Sequence, residues 1–294
     1  MSFLLESSSP KKNKLWLPLA VFVALLVALA GVGSLNQPAQ VGVLEINGVI
    51  MDSKVALSQI KILSKDPQIL GVLVRINSPG GAVAPSQEIF TALADLSKRK
   101  PVYASMGSIA ASGGYYISLG ANQVFANPGT LTGSIGVIIE SPNVSDLMKK
   151  LGVSIEVVKS GKNKDAGSPF RSMKPEERNL LNTVIMDTYE QFIEAILSRR
   201  KMDETKLREV ADGRIFTGRQ AKALGLIDQL GGYNEALAAL VLKLGIKGEF
   251  ELIQPPDPEH GILSRLQNEA TSTITGLLAP SGGLMYMSPL TGRP

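Results

Sequence analysis

The chain has 294 residues, of which 44% are hydrophobic and 19% are charged, so a folded core is expected and wholesale disorder is excluded. It has no cysteine and one histidine, His260, which excludes disulfides, a cysteine nucleophile and a multi-histidine metal site. The net charge is +4, but there is no basic stripe with interleaved aromatic residues, so we expect no nucleic-acid partner.

An uncharged apolar run at residues 15–35 follows a basic tail at residues 1–14. A helix of that length rises about 30 Å, which matches the hydrocarbon core of a bilayer. The run therefore predicts a transmembrane anchor in contact with membrane lipid. The lysines before it favour a cytoplasmic N-terminus by the positive-inside rule. A cleaved signal peptide is the alternative, because Ala-Leu-Ala at residues 28–30 resembles a cleavage site, but the apolar run continues beyond it.

Strand and helix patterns alternate after a short polar linker at residues 36–40, which predicts an α/β domain with mostly parallel strands at residues 41–253. Residues 254–294 form a C-terminal extension that is expected to be partly irregular. The predicted strands are residues 41–46, 71–76, 102–106, 124–126, 135–139 and 155–158. The predicted helices are residues 85–98, 112–119, 176–199, 204–211, 234–244 and, with a weaker apolar pattern, 263–278.

Two glycines follow the predicted strand at residues 71–76, in the sequence Asn-Ser-Pro-Gly-Gly of residues 77–81. Glycines permit a tight turn that exposes backbone N–H groups, and such donors can bind a developing oxyanion. An ordinary strand-to-helix turn would also produce this sequence, so the motif alone does not identify a function.

Ser112 lies among small residues in the sequence Ser-Ile-Ala-Ala-Ser-Gly-Gly-Tyr-Tyr of residues 108–116, after a predicted strand and at the start of a predicted helix. A hydroxyl at a helix start meets the positive end of the helix dipole, which favours a developing negative charge. Small neighbours also let a substrate backbone approach closely. The alternative is that Ser112 only caps the helix.

A polar loop at residues 160–169 follows the predicted strand at residues 155–158, and three lysines lie in or beside it: Lys159, Lys162 and Lys164. Desolvation disfavours an ammonium group, so a buried lysine can act as a general base near neutral pH, whereas solvated lysines are ordinary surface charges. Local chemistry does not choose among the three.

Together with Leu-Thr-Gly-Ser-Ile-Gly-Val at residues 131–137, these motifs resemble in their order the bacterial signal peptide peptidase A family, in its short form with one copy of each motif. The resemblance runs from about residue 41 to about residue 233 and includes Ala-Asp-Gly-Arg-Ile-Phe-Thr-Gly at residues 211–218. It implies a Clp-protease/crotonase-like fold, a spiral of βαβ units. One motif copy also leads us to expect a closed homo-oligomer.

The resemblance assigns a role to five residues. It implies that Ser112 is the nucleophile, Lys164 the general base and Ser134 the residue that orients the lysine, with the backbones of Gly81 and Gly113 forming the oxyanion hole. It implies no cofactor and no metal. The implied substrates are cleaved signal peptides and other apolar peptides, hydrolysed by a catalytic domain on the outer side of the bacterial cytoplasmic membrane.

Three other functions are compatible with parts of this pattern. A SohB-like membrane peptidase would use the same site on other substrates. A crotonase-like acyl-CoA enzyme also stabilises an oxyanion with backbone amides, but it needs neither Ser112 nor Lys164. A non-catalytic membrane scaffold of the same fold would have no activated serine.

Overall fold

The computed structural model describes residues 21–22, 38–256 and 285–287. The predicted basic tail and the predicted helix at residues 263–278 lie outside these residues. So does the predicted anchor at residues 15–35, apart from residues 21 and 22, which are helical. Within the described ranges, no helix is long and apolar enough to cross a bilayer.

Ten strands occur in the described residues, and all ten are short enough to be ordinary globular strands. They are β1 (Ala39–Asn47), β2 (Ile69–Ser78), β3 (Gly80–Ala82), β4 (Val102–Ala111), β5 (Gln123–Ala126), β6 (Leu131–Gly133), β7 (Ile215–Thr217), β8 (Gln229–Leu230), β9 (Phe250–Ile253) and β10 (Met285–Met287).

Eight of these strands form one sheet, in the order β7-β6-β4-β2-β1-β9, with β5 beside β4 and β8 beside β5. Neighbouring strands are parallel except β6 and β7, which are antiparallel. The predicted α/β class with mostly parallel strands is therefore confirmed.

Eight helices lie between residues 38 and 256, where they connect and cover the strands. They are α1 (Lys54–Lys65), α2 (Val83–Ser97), α3 (Gly113–Ser118), α4 (Ser145–Lys150), α5 (Pro175–Arg199), α6 (Glu204–Val210), α7 (Gly218–Ala223) and α8 (Tyr233–Leu244). The longest, α5, begins at Pro175, where a missing N–H costs no helical hydrogen bond.

Both faces of the sheet are buried, because alternate residues of the central strands pack into two separate apolar clusters. In β2, Val72 and Val74 pack with side chains of α1, α2, α3 and α5, whereas Leu73 packs with side chains of α8 on the other face. Strands that are buried on both faces read as near-continuous apolar runs, which is why the sequence predicted them well.

Two predicted strands are wrong. Residues 135–139 form no strand: β6 ends two residues earlier, and apart from an isolated bridge at Ile138 the segment is irregular, although Ile135 is buried in the core. Residues 155–158 also lie outside helices and strands, and the side chain of Val158 is fully exposed. An apolar run becomes a strand only where a neighbouring strand satisfies its backbone groups, and neither segment joins a ladder in the described residues.

A short antiparallel pair joins the end of the chain to the turn after β2. In this pair β10 runs along β3, with Tyr286 opposite Gly81. Gly81 also forms a parallel bridge with Ile50 on the β1 side. The C-terminal segment therefore lies along a backbone that the sequence assigned to the oxyanion hole.

Candidate active site

Ser112 and Ser134 follow the carboxyl ends of two neighbouring parallel strands. Ala111, the last residue of β4, is the register partner of Gly133, the last residue of β6. The N–H of Ser112 donates to the carbonyl oxygen of Gly133 at 2.8 Å. Because each serine comes one residue after a paired position, the two lie side by side at the same edge of the sheet.

Both serines have an unusual backbone conformation. Their φ angles are 53° at Ser112 and 51° at Ser134, and among the described residues no other non-glycine residue has a positive φ. Such a conformation costs on the order of 1–3 kcal/mol and persists only where the surrounding structure enforces it, most often at functional sites. Backbone strain is therefore concentrated at the two serines to which the family resemblance assigns a role.

The hydroxyl of Ser112 is buried and unpaired. The residue is fully inaccessible to solvent, and its Oγ has no hydrogen-bond partner among the described residues. Its side chain makes no capping hydrogen bond to α3, so the helix-cap explanation does not hold. A buried hydroxyl without a partner costs about 1–3 kcal/mol, so its retention in a folded protein requires a reason.

Gly81 and Gly113 bring two backbones together beside Ser112. A β-carbon on Gly113 would lie 2.6 Å from Oγ of Ser86 and 3.3 Å from the backbone nitrogen of Gly81. A β-carbon on Gly81 would lie 2.1 Å from the carbonyl oxygen of Ile50. Neither position tolerates a side chain without a shift of its neighbours, and the close approach suits the predicted role of these backbones as oxyanion donors.

Ser134 is held at the junction between β6 and β7. Its N–H donates to the carbonyl oxygen of Arg214 at 2.8 Å, and the residue is buried. Arg214 precedes β7 and belongs to the motif at residues 211–218. That motif therefore positions the backbone of Ser134 from the antiparallel side of the sheet.

Lys164 is exposed, whereas Ser112 and Ser134 are buried. Lys164 lies in a run of tight turns at residues 161–168, in which its N–H donates to the carbonyl oxygen of Gly161 at 3.1 Å. Among the described residues, no hydrogen bond or ion pair joins its amine to Ser112, to Ser134 or to any carboxylate. The fold of one chain thus assembles the serines and glycines of the site, whereas the lysine remains solvated.

Two positions near the site were not identified as such from the sequence. Oδ1 of Asn77, the next-to-last residue of β2, accepts hydrogen bonds from the N–H groups of Ser108 at 3.1 Å and Ile109 at 3.3 Å. It therefore holds the end of β4 against the end of β2. Arg171 bridges Asp165 and Glu177 next to Lys164. The available sign for Asn77 was a polar residue directly after the apolar run at residues 71–76, but no local pattern marked Arg171.

Other groups close to Ser112 serve the core rather than chemistry. Tyr115 is fully buried, its hydroxyl donates to the carbonyl oxygen of Leu226 at 3.0 Å, and burial raises its pKa to about 12. A phenol with that pKa stays protonated near neutral pH, so it is not a candidate base. In the described part of the chain, no cluster of three histidine, aspartate or glutamate side chains could hold a metal ion.

The profile of Peptidase family S49 matches residues 94–247, a range that includes Ser112, Ser134 and Lys164. The chain belongs to peptidase family S49. On that membership it is a serine peptidase, as the sequence motifs predicted, and its resemblance to signal peptide peptidase A is confirmed at the level of the family.

Curated relatives of this S49 peptidase have names that agree with the family. A putative protease of Synechocystis sp. is 43% identical over 220 residues, which are 73% of this chain and 79% of that protein. A putative signal peptide peptidase SppA of Enterococcus faecium is 40% identical over 211 residues, 67% of this chain and 61% of that protein. Protease 4 of Salmonella typhi is 33% identical over 271 residues, 87% of this chain and 43% of that protein. The chain therefore spans less than two thirds of the last two relatives.

Proposed function

We propose that this family S49 chain is a membrane-anchored serine endopeptidase in which Ser112 is the nucleophile and Lys164 the general base. One observation supports the nucleophile above all: the Ser112 hydroxyl is buried, has no partner among the described residues and sits on a positive-φ backbone. A serine that only fills a core forms hydrogen bonds, as Ser118 does when it donates to the carbonyl oxygen of Tyr115 at 2.6 Å.

The proposed reaction proceeds through an acyl-enzyme. The neutral amine of Lys164 removes the proton of Ser112 as Oγ attacks the scissile carbonyl carbon. The backbone N–H groups of Gly81 and Gly113 donate to the oxyanion that forms. The protonated lysine then gives its proton to the leaving amine, and water, activated by the same lysine, hydrolyses the ester. Ser134 hydrogen-bonds the amine and directs its lone pair toward Ser112.

The proposed substrates are cleaved signal peptides and other apolar peptides. Strand β3 supports a peptide substrate, because it already accepts β10 as an antiparallel neighbour, with Tyr286 opposite Gly81, one of the two proposed oxyanion donors. Main-chain hydrogen bonds of this kind position a peptide irrespective of its sequence, and side-chain pockets then set the preference. A SohB-like enzyme with other substrates is the alternative, and it would use the same strand.

The proposed location is the outer side of the bacterial cytoplasmic membrane, with the N-terminus cytoplasmic and residues 15–35 as the single anchor. The apolar length of that run and the lysines before it support this topology. Apolar peptides left in the bilayer after secretion would then be close to the site.

We also propose a closed homo-oligomer of chains with the Clp-protease/crotonase-like spiral fold. The exposed amine of Lys164 supports it, since a lysine base needs an environment that disfavours the ammonium, and the described chain alone does not provide one. Exposed apolar side chains between residues 147 and 158, just before the turn that contains Lys164, also support an oligomer, because an assembly would cover them. They are Leu147, Leu151, Val153, Ile155, Val157 and Val158.

The deciding experiment uses the full chain, purified in detergent. It is treated with a phosphonate that phosphonylates activated serines, with loss of its leaving group, and with synthetic signal peptides, and both reactions are analysed by mass spectrometry. We expect label on Ser112 and cleaved peptides in the wild type, neither in Ser112→Ala, and both in the control Ser118→Ala. A non-catalytic scaffold would give no label in any variant. A crotonase-like enzyme would turn over an acyl-CoA and leave the peptides intact.

A further inference from the structure

Arg171 connects the turn that contains Lys164 to the first turn of α5. Its Nε donates to Oδ2 of Asp165 at 2.9 Å, and its Nη2 donates to the carbonyl oxygen of Asp165 at 3.0 Å. On the other side, Nη1 and Nη2 donate to the two carboxylate oxygens of Glu177 at 2.8 and 2.5 Å. The planar guanidinium is suited to such paired contacts, so the residue directly after Lys164 is fixed to a helix.

The helix end that Arg171 binds is itself well anchored. The side chain of Glu177 is 3% exposed, and its Oε2 also accepts the N–H of Lys174 at 3.0 Å, which closes the first turn of α5. Further along α5, Phe192 and Ile196 are buried in the main core. The turn at residues 161–168 is therefore attached to a rigid element, although residues 161–164 are exposed.

The carboxylate of Asp165 is fully engaged by partners other than Lys164. Its Oδ2 is bound by Arg171, and its Oδ1 forms an ion pair with Lys159. Hydrogen bonds from Arg171 and then from Lys159 hold the pKa of Asp165 well below its ordinary value. A carboxylate free to turn toward the neighbouring amine would stabilise the ammonium form and oppose its use as a base.

The charges around the turn balance. Lys159 and Arg171 are positive, Asp165 and Glu177 are negative, and these four groups form one connected cluster with no net charge. A segment before α4 also packs on the turn, since Oγ of Ser141 donates to the carbonyl oxygen of Gly167 at 2.5 Å. Other charged residues here are Lys162 and Lys164 in the turn, Glu140 beside Ser141, Asp146, Lys149 and Lys150 in α4, and Lys174, Glu176 and Arg178 at the start of α5.

We propose that Arg171 is the positioning residue for the general base: it fixes the turn at residues 161–168 and keeps the carboxylate of Asp165 away from the amine of Lys164. The inference rests on the proposed Ser112/Lys164 dyad. Arg171 touches neither substrate nor reacting atoms in this role. It acts through Asp165, by setting both the position of the turn and the charge that faces Lys164.

The test compares pH–rate profiles for peptide hydrolysis by the full chain. Arg171→Ala frees Asp165 to pair with Lys164, so the rising limb of the profile should move to higher pH by about one unit, with a rate about tenfold lower on that limb. Asp165→Asn removes the carboxylate and leaves both cations, so the limb should move to lower pH. The double variant, which restores the charge balance, should return the limb close to its wild-type position.

The control is Arg208→Ala, because Arg208 bridges Glu190 and Glu204 at 2.6 and 2.7 Å in an equivalent arrangement remote from the turn. Its profile should not move. A purely structural role for Arg171 would lower the rate in both single variants without opposite shifts of the limb, and that result overturns the proposal.

Two variants keep the inference testable if Arg171→Ala does not fold. Arg171→Lys retains the charge but not the paired contacts, so kcat should fall while the limb stays in place. Asp165→Asn is isosteric, and an unmoved limb or a move to higher pH in that variant contradicts the proposal. Failure of the dyad itself would appear separately, as peptide hydrolysis by Ser112→Ala.

Discussion

Ser112 and Ser134 occupy equivalent positions in neighbouring parallel strands: each stands one residue beyond a register-paired strand end, and each has a positive φ. The hydrogen bond from the Ser112 N–H to the carbonyl oxygen of Gly133 joins the two positions at 2.8 Å. Two motifs that are separate in the sequence therefore meet at one edge of the sheet.

Removal of the Ser112 hydroxyl should abolish hydrolysis without loss of stability. Ser112→Ala deletes a buried hydroxyl that has no partner among the described residues, so the melting temperature should stay level or rise. The control Ser118→Ala deletes a bonded hydroxyl and should cost about 1 kcal/mol while activity is kept. Peptide turnover and thermal melts of both variants measure the contrast. Residual activity in Ser112→Ala above a tenth of wild type contradicts the nucleophile assignment.

Substitution of the two lysines of the turn should separate the base from its neighbour. Lys164→Ala should lose activity by orders of magnitude, because the nucleophile then has no proton acceptor, whereas Lys162→Ala should keep most activity. Ser134→Ala should be impaired less than Lys164→Ala, since it removes orientation rather than the base. Steady-state kinetics of the three variants test this order. If Lys162→Ala is inactive and Lys164→Ala is active, the general base is Lys162 and not Lys164.

A methyl group on Gly113 should damage the site through Ser86. Its β-carbon would lie 2.6 Å from Oγ of Ser86, so Gly113→Ala should cost about 1–3 kcal/mol and lower kcat. Adding Ser86→Ala removes the clashing oxygen and should recover part of both losses. Gly129→Ala is the control, because a β-carbon there has no neighbour within 4 Å. If Gly113→Ala and Gly129→Ala change stability and kcat equally, Gly113 does not lie as close to Ser86 as described.

Removal of β10 should improve the binding of external peptides. A chain that ends at residue 284 lacks the segment that pairs with β3, so KM for a peptide substrate should fall while kcat stays similar. A chain that ends at residue 287 keeps β10 and should behave as the full chain does. Initial-rate kinetics on the two truncated chains make the comparison. An unchanged KM in the shorter chain would mean that substrates do not use the β3 edge.

A reporter enzyme that is active only outside the cytoplasm should be active when fused after residue 40. The apolar run and the lysines before it predict this orientation. The same fusion without residues 15–35 is the control and should be inactive. Fractionation of cells that make the full chain adds a second readout: recovery of the catalytic domain in the soluble fraction would indicate cleavage rather than anchoring.

The sequence predicted the buried strands and the long helix well, because both patterns arise from burial within this chain. The strand at residues 71–76 is apolar on both faces and lies centrally in the sheet, and the predicted helix at residues 176–199 agrees with α5 to within a residue. The strand at residues 155–158 failed for the complementary reason. Its apolar side chains are exposed in the single chain. The apolar pattern of this segment therefore does not arise from pairing with another strand of the same chain.

The candidate site could be predicted in part. The motifs identified Ser112, Gly81 and Gly113, and the fold brings these positions together. Local sequence could not reveal the positive φ at Ser134 or the pairing of β10 with β3, because both depend on contacts between distant segments. It also could not place Lys164, whose side chain is exposed in a turn that Arg171 links to α5 through Asp165 and Glu177.

The pairing of β1 with β9 has a consequence for how the chain is made. One side of β1 pairs with β2, whereas among the described residues its other side pairs only with residues 250–253, which are synthesised about two hundred residues later. A nascent chain leaving the ribosome would expose the backbone groups of that side until nearly all of the domain had emerged. Completion of the sheet is therefore a late, non-local step, and a chain that stops before residue 250 should tend to associate through this open edge.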